Sequence, residues 1–398
     1  MNLDASQLSA VSNATTSTVS IITGGAGTGK TTIIKAITDQ LEASGESVQL
    51  CAFAGKAAAR LREATQHPAS TVHRLLGYNG KIFQCETLKD QSIIIDESSM
   101  LDSYLLAEIV RREPKRLCLV GDQAQLPPVG RAAPFHDLIN LRADIVSNLT
   151  TCYRATEAVF HAASTIREGG RPAMRSQSEN EKWTMINTGS AERTQAKIIE
   201  WIKDGMFDFD KDVILCARNG DTIDDACTIK GLNAAIVDAI SPRSDGIKWV
   251  VGDRVINTKN QPEMDVWNGT TGSIHSVDQD DNIWVNTDVP VIDWDKTTDE
   301  RDATYTNYVL FDKDAKKHLQ LAYALTVHKS QGSQHRRVLV VCLNRDAYSM
   351  LDRSLLYTAI TRTKESCCVV GEMQSVYAAI DKVDHKHTVM QVMEGIKR

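Results

Sequence analysis

Residues 24–32 read GGAGTGKTT and follow the apolar run Val19-Ser20-Ile21-Ile22-Thr23. Beyond them, Ile33-Ile34-Lys35-Ala36-Ile37 has the apolar spacing of a helix. Strand, glycine-rich turn and helix, in that order, is the context in which GxxxxGKT wraps a polyphosphate. Gly25, Ala26, Gly27, Thr28 and Gly29 would turn backbone N–H groups inward, and the helix N-terminus would add the positive end of its dipole. Lys30 would reach the β- and γ-phosphates, Thr31 would offer its hydroxyl to Mg²⁺, and Thr32 belongs to the same cradle. The stretch implies a nucleoside triphosphate ligand.

At 398 residues the chain is too long for one core and predicts two to four domains. No apolar run approaches a membrane span, and the start MNLDASQLSA lacks the basic and apolar regions of a leader. Nine cysteines occur without CxxC or metal-ligand spacing. Cys51, Cys118, Cys216 and Cys342 lie in apolar runs and read as buried thiols in a reducing cytoplasm. A net charge of −6 argues against a generally basic nucleic-acid coat. It leaves room for a narrow groove lined by a few basic and polar groups.

Residues 3–11 have helical spacing with Asp4 as N-cap. Residues 47–54 read as a strand and 55–63 as the start of a helix, and the small polar residues of 70–73 read as caps or turns. Tyr78-Asn79-Gly80-Lys81 carries the Asn-Gly signal of a hairpin, expected over 77–91. Tyr78 and Phe83 near its tip would make an aromatic wedge, or their rings would pack on the hairpin's own base. Ile93-Ile94-Ile95 is a buried strand ending in Asp96 and Glu97, at the edge where α/β sheets place their sites. Asp96 would hold Mg²⁺ and Glu97 would orient and polarise the attacking water; as the alternative, paired acids can cap the next helix. After the strand at 117–120, Gln123 is placed to sense the γ-phosphate, with Asp122 supporting the turn.

Farther on, 154–168, 194–203 and 231–240 read as helices, 172–181 as a surface loop, and 213–217 as the beginning of a second parallel sheet. From Gly252 the period shifts towards two, with Asn-Gly and Asp turns, predicting a small β-barrel-like insertion. Residues 278–302 hold nine acids against two bases, a solvated face or a docking surface for a replication partner. Residues 367–370 read as a closing strand, and 373–380 and 388–396 as helices.

GGAGTGKTT, AFAGKAAARL, STVHRLLG, IIIDESSM and VGDQAQLPPVG resemble successive motifs of superfamily 1 helicases. Residues 325–332 (LTVHKSQG) and 356–362 (LYTAITR) are similar to the last two motifs of the RecD-like and phage Dda-like branch. Residues 149–154 (LTTCYR) sit where that branch carries an arginine near the nucleotide. The resemblance runs in order from about Gln7 to Lys364.

It implies an α/β fold of two RecA-like parallel-sheet P-loop domains. The first would span 1–155, with the 77–91 hairpin as an insertion; the second would span 156–255 and 319–398, around an SH3-like β insertion at 256–318. The implied activity is that of an ATP- and Mg²⁺-dependent DNA helicase moving 5′ to 3′ on single-stranded DNA and unwinding forked duplex. Gln7 would read the adenine edge, Gln331 and Gly332 would join the nucleotide site, and Gln123 would couple γ-phosphate to motion. Arg154 and Arg362 would approach the γ-phosphate from across a cleft between the domains. Phe53, Gly55, Lys56, Ser70, Thr71 and His73, with Thr326, His328 and Lys329, would track the strand through its phosphates. Relatives commonly carry Pro-Thr where this chain has Phe53-Ala54, so one hydroxyl contact is missing; Phe53 would stack on a base or belong to the core. A cytoplasmic monomer is expected, with single-strand binding protein or a polymerase as replication or recombination partners. The compact size resembles phage-encoded relatives. The alternatives are a translocase that displaces bound proteins, a recombination or packaging subunit with a regulatory ATPase, and an RNA substrate.

Overall fold

Alternate residues of a parallel strand face opposite sides of the sheet, so a strand covered on both faces must be apolar throughout. The strand Gln91–Asp96 shows this in the computed structural model, which describes residues 3–130, 132–153, 157–176, 182–244, 246–297, 304–347 and 349–383. Ile94 packs with Ile33, Ile34, Ile37 and Leu41 on one side, while Ile93 and Ile95 pack with Leu101, Leu105, Ile109 and Phe135 on the other. Truncating such a fully buried isoleucine to alanine costs about 2–5 kcal/mol.

The chain divides into two units between residues 154 and 155. In the first, β1 (Val19–Gly24), β2 (Ser47–Ala52), β3 (Ala69–Thr71), β4 (Gln91–Asp96), β5 (Arg116–Gly121) and β6 (Val146–Leu149) form one parallel sheet in the order β3-β2-β4-β5-β1-β6. Helices α1 (Ala5–Thr16), α2 (Lys30–Ala43) and α3 (Gly55–Thr65) precede or connect its strands. Asp4 caps α1 in a reciprocal box: its carboxylate accepts from Gln7 N–H at 2.8 Å, and Gln7 Oε1 accepts from Asp4 N–H at 3.1 Å.

The expected hairpin at 77–91 is short: Tyr78 and Phe83 form an antiparallel bridge, flanked by Asn79 N–H to Ile82 O at 3.2 Å, Gln84 N–H to Gly77 O at 3.2 Å and Cys85 N–H to Leu76 O at 3.0 Å. Its tip is satisfied locally. Asn79 Oδ1 accepts from the N–H groups of Lys81 (3.1 Å) and Ile82 (3.0 Å), and Tyr78 Oη donates to Gly80 O at 3.0 Å. The turn closes on itself, and the pairing that leaves it runs only as far as Leu76 and Cys85.

In the second unit, β7 (Trp183–Asn187), β8 (Val213–Cys216), β14 (Ala324–Thr326), β15 (His335–Cys342) and β16 (Thr363–Gly371) form a parallel sheet in the order β14-β8-β15-β16-β7. The sheet therefore begins in sequence at Trp183 rather than Val213, and β7 lies at its edge beside β16. Only Trp183 and Met185 of β7 are fully buried, so the segment lacks the continuous apolar run by which an interior strand is recognised. Between β8 and β14 lie β9 (Arg254–Asn257), β10 (Thr271–Val277), β11 (Ile283–Ile292), β12 (Tyr305–Phe311) and β13 (Leu319–Leu321), an antiparallel sheet ordered β12-β11-β10-β9-β13. Pairing of Asn257 with Leu319 and of Val255 with Leu321 closes its root, so the insertion reaches a few residues beyond 256–318 at each end.

The acidic stretch is not one solvated face. Asp278, Asp280 and Asp281 are exposed, but Asp288 accepts from buried Arg254 at 2.6 Å and Asp293 pairs with Lys296 at 2.9 Å. Asp299, Glu300, Arg301 and Asp302, like the expected helix at 388–396, lie outside the described residues. All nine cysteines are free thiols, with Cys51, Cys118, Cys216 and Cys342 buried.

Candidate functional site: a phosphate loop and two strand-contact segments

The phosphate loop leaves the end of β1, next to β5 and β6 in the sheet. Gly24 is required by crowding: a Cβ there would meet Thr28 Oγ1 at 2.6 Å and Leu149 Cβ at 2.9 Å. Gly29 stands at the N-cap of α2 with φ +82°, in the left-handed region, where a Cβ would meet Gln7 Nε2 at 2.6 Å. Thr28 Oγ1 donates to Gly25 O at 2.9 Å, and Lys30 Nζ donates to Gly24 O at 2.7 Å and Gly25 O at 2.9 Å. The ammonium is thus held at the loop itself, beside the N-terminus of α2, where Thr31 and Thr32 also lie. Gly25, Ala26 and Gly27 complete the turn, with Gly27 at φ +81°.

Gln7 is buried, and its amide bonds Asp4 N–H and Thr28 O, the latter at 3.3 Å. It therefore ties the start of α1 to the loop. Tyr153 does the same from the other side: its N–H donates to Gly27 O at 2.9 Å and its hydroxyl to Asp4.

Asp96 ends β4, two strands from β1 with β5 between them. Desolvation, then the neighbouring Glu97 charge, pushes its carboxyl up to about 6, while Lys30 and Arg60 pull the other way. Glu97 sits at φ 53°, ψ 38°, left-handed for a side-chain-bearing residue, and its N–H donates to Asp96 Oδ1 at 2.9 Å. A desolvated carboxylate with a second acid next to it, beside a phosphate loop, gains from a divalent cation, so Thr31 and Asp96 are the residues that could hold Mg²⁺. Arg60 was missed in the sequence; its only signal was its place on α3, one turn past Lys56.

After β5, Asp122 is buried and Oδ1 accepts from Ala124 N–H at 3.0 Å. The structure leaves Gln123 exposed, with its backbone carbonyl 2.9 Å from His136 Nε2, and buries Gln125 instead. Both amides stand in VGDQAQLPPVG, and only burial separates them.

The strand-contact candidates fall into two groups. In the first unit, Ala52 of β2 pairs with Thr71 of β3, so Phe53, Gly55 and Lys56 share one sheet edge with Ser70, Thr71 and His73. Thr71 is spent as an N-cap, accepting from Arg74 N–H at 3.2 Å. Phe53 is half-buried against the core, and burial lowers the His73 pKa while Asp102 raises it. In the second unit, Thr326 ends β14, and His328 and Lys329 follow in a single tight turn; Thr326 Oγ1 accepts from Lys329 N–H at 3.3 Å. Desolvation lowers the Lys329 pKa. Gln331 and Gly332 follow, buried, with Gly332 at φ +73°. Arg362 is buried between the helix Arg353–Ile360 and β16, where Nε donates to Thr358 O at 3.2 Å. Arg154 lies outside the described residues.

Two parallel-sheet units, one carrying a phosphate loop with an acid pair two strands away, define a P-loop nucleotide-binding protein. Residues 2–188 match the AAA domain family and residues 321–370 the UvrD-like helicase C-terminal domain. The chain is 34% identical to the ATP-dependent RecD2 DNA helicase of Deinococcus radiodurans over 87% of its own length and 46% of that protein's. It is 30% identical to the RecBCD enzyme subunit RecD of Mycobacterium tuberculosis, covering 91% of this chain and 68% of that one. The chain belongs to the RecD family of superfamily 1 helicases. It spans about half the length of the Deinococcus relative. A Pif1 helicase from a study of DNA unwinding at forked duplex shares the fold, with TM-score 0.59 at 18% identity over 100% of this chain and 98% of that one. Among the described residues, no helix is long and apolar enough to cross a membrane.

Proposed function

We propose that this chain is an ATP- and Mg²⁺-dependent motor that moves 5′ to 3′ along single-stranded DNA and separates duplex at a fork. The observation that carries the reading is the convergence of Lys30, Asp96 and Glu97 at the carboxyl edge of one sheet whose neighbouring edge holds Lys56 and His73. Lys30 binds the β- and γ-phosphates, and Glu97, fixed by its backbone, orients the attacking water. Mg²⁺ at Thr31 and Asp96 would neutralise charge on the phosphates. Arg362 serves the same γ-phosphate and supplies charge stabilisation worth 10³ to 10⁵ in rate, about 4–7 kcal/mol; this role rests on the sequence resemblance, as do Arg154 and the polarity. Gln125, buried at the end of β5, takes the γ-phosphate-sensing role in place of exposed Gln123. Single-strand binding protein, a polymerase and other replication, recombination or repair proteins are the proposed partners.

A second reading, a translocase that strips bound proteins and unwinds poorly, is favoured by one observation: the hairpin is short, its pairing ending at Leu76 and Cys85. Forks with only a 5′ or only a 3′ tail, together with a protein-displacement assay, separate the two. Lys30→Ala and Glu97→Gln should abolish DNA-stimulated ATPase and leave strand binding intact, and Gln125→Ala should uncouple hydrolysis from movement more than Gln123→Ala. Unwinding only from the 3′-tailed fork would overturn the polarity, and negligible turnover in the wild type would overturn the motor.

A further inference from the structure

Five rings from three separate segments form a continuous row in the first unit. Phe53, at the end of β2, stands edge-on to His73 with centroids 6.1 Å apart. His73 is 5.6 Å from Tyr78, Tyr78 is 5.0 Å from Phe83, and Phe83 is 6.0 Å from Tyr104. The first two belong to the proposed strand track, and the next two to the bridge at the expected wedge. Tyr104 has no role in either group. It is 61% exposed, more than any other ring in the row; Tyr78 is 43% exposed.

Tyr104 is held stiffly. It lies in the first turn of the helix Ser103–Val110, whose start Asp102 caps by accepting from Leu105 N–H at 2.9 Å. Leu105 and Ile109 anchor the opposite side of that helix in the core. A phenol on a fixed helix face, with a ring behind it, has few rotamers to lose and a large open π-surface. Bases stack on such surfaces without regard to sequence, as a strand motor requires. The helix also begins six residues after Glu97, so the ring is carried on the segment that leaves the proposed catalytic acid.

We infer that Tyr104 is a base-stacking residue, the outer end of an aromatic row that continues the strand track towards the duplex junction. The inference deepens the proposed DNA-motor function and rests on it. Tyr104→Ala in the full chain should slow unwinding of 5′-tailed forks about tenfold, the scale of one lost base stack. Single-strand-stimulated ATPase at saturating DNA and the thermal melt should stay within about twofold and about two degrees of wild type, since an exposed side chain is removed. Tyr104→Trp should restore unwinding. Its added emission, taken as the difference from wild type, should be quenched when an oligonucleotide binds, a readout that needs no motor activity. Unchanged unwinding in Tyr104→Ala, a proportional fall in ATPase, or unquenched emission in Tyr104→Trp would each overturn the assignment. A wild type that unwinds no fork while the Tyr104→Trp emission is quenched would instead defeat the unwinding reading and leave the stacking role standing.

Discussion

Asn233 offers the sharpest quantitative test of how the second strand-contact segment is held. β14 is the edge of its sheet, and Ala324 turns both its N–H and its C=O away from β8 towards Asn233. The amide of this buried side chain acts as the missing neighbour: Oδ1 accepts from Tyr323 N–H at 2.9 Å and Ala324 N–H at 3.1 Å, and Nδ2 donates to Ala324 O at 3.1 Å. A fourth bond, from Nδ2 to Ile229 O at 2.9 Å, lies within the helix Ile229–Ile240 that carries Asn233 and fixes the orientation of the amide. Asn233→Ala leaves two buried N–H groups and one carbonyl without this partner. Each unsatisfied group costs about 1–3 kcal/mol, so partial relaxation leaves a net loss of about 3 kcal/mol. For a unit of this size that is a drop of roughly 6–12 °C in Tm. All six tryptophans, Trp183 to Trp294, fall in the second unit, so tryptophan emission during urea or thermal unfolding reports on it directly. Asn233→Asp, which keeps the acceptor and loses the donor, should fall between. A loss below about 1 kcal/mol for Asn233→Ala would show that the edge of β14 is satisfied without the amide. Single-strand affinity should weaken in parallel, because Thr326 ends that strand and His328 and Lys329 follow it directly.

Two more outcomes follow from strain and charge in the first unit. Glu97→Gly should raise urea stability by about 0.5–1 kcal/mol by relieving its left-handed backbone while eliminating ATP hydrolysis, and a destabilised variant would refute the strain. Glu46 accepts from Ser92 Oγ at 2.7 Å and pairs with Arg116 and Lys115; the Ser92 bond first, then these cations, hold its carboxyl down at about 2 from 4.5. Its folded pKa is depressed, so its contribution is fully present above pH 4.5 and is lost as pH falls towards 2. Urea midpoints by far-UV circular dichroism should therefore decline across that window in wild type and less steeply in Glu46→Gln, and parallel curves would exclude the link.

Much of the first unit was legible because its signals are local. The phosphate loop announces itself through Gly24, Gly29 and Lys30, since only glycines tolerate the crowding and positive φ that the turn imposes. The acid pair is marked by an apolar run that ends abruptly, as any strand buried on both faces must. The cap at Asp4 was legible too, because a capping box lies within four residues. What escaped depended on contacts distant in sequence. Trp183–Asn187 is a strand only because β16 is there to pair with it, and Gln125 differs from Gln123 only in being buried. The 77–91 hairpin is shorter than its expected bounds, because the Asn-Gly signal fixes the turn at Asn79 but not how far pairing runs beyond Leu76 and Cys85.

The sequence by itself determined that the chain folds as α/β and binds a polyphosphate, because the order strand, GGAGTGKTT, helix sets backbone geometry within a dozen residues. Tertiary structure alone decided which distant side chains meet. Tyr104 joins the row from Phe53 to Phe83, and Asn233 completes β14, because side chains far apart along the chain come together only when sheets and helices pack, and no local propensity encodes that packing.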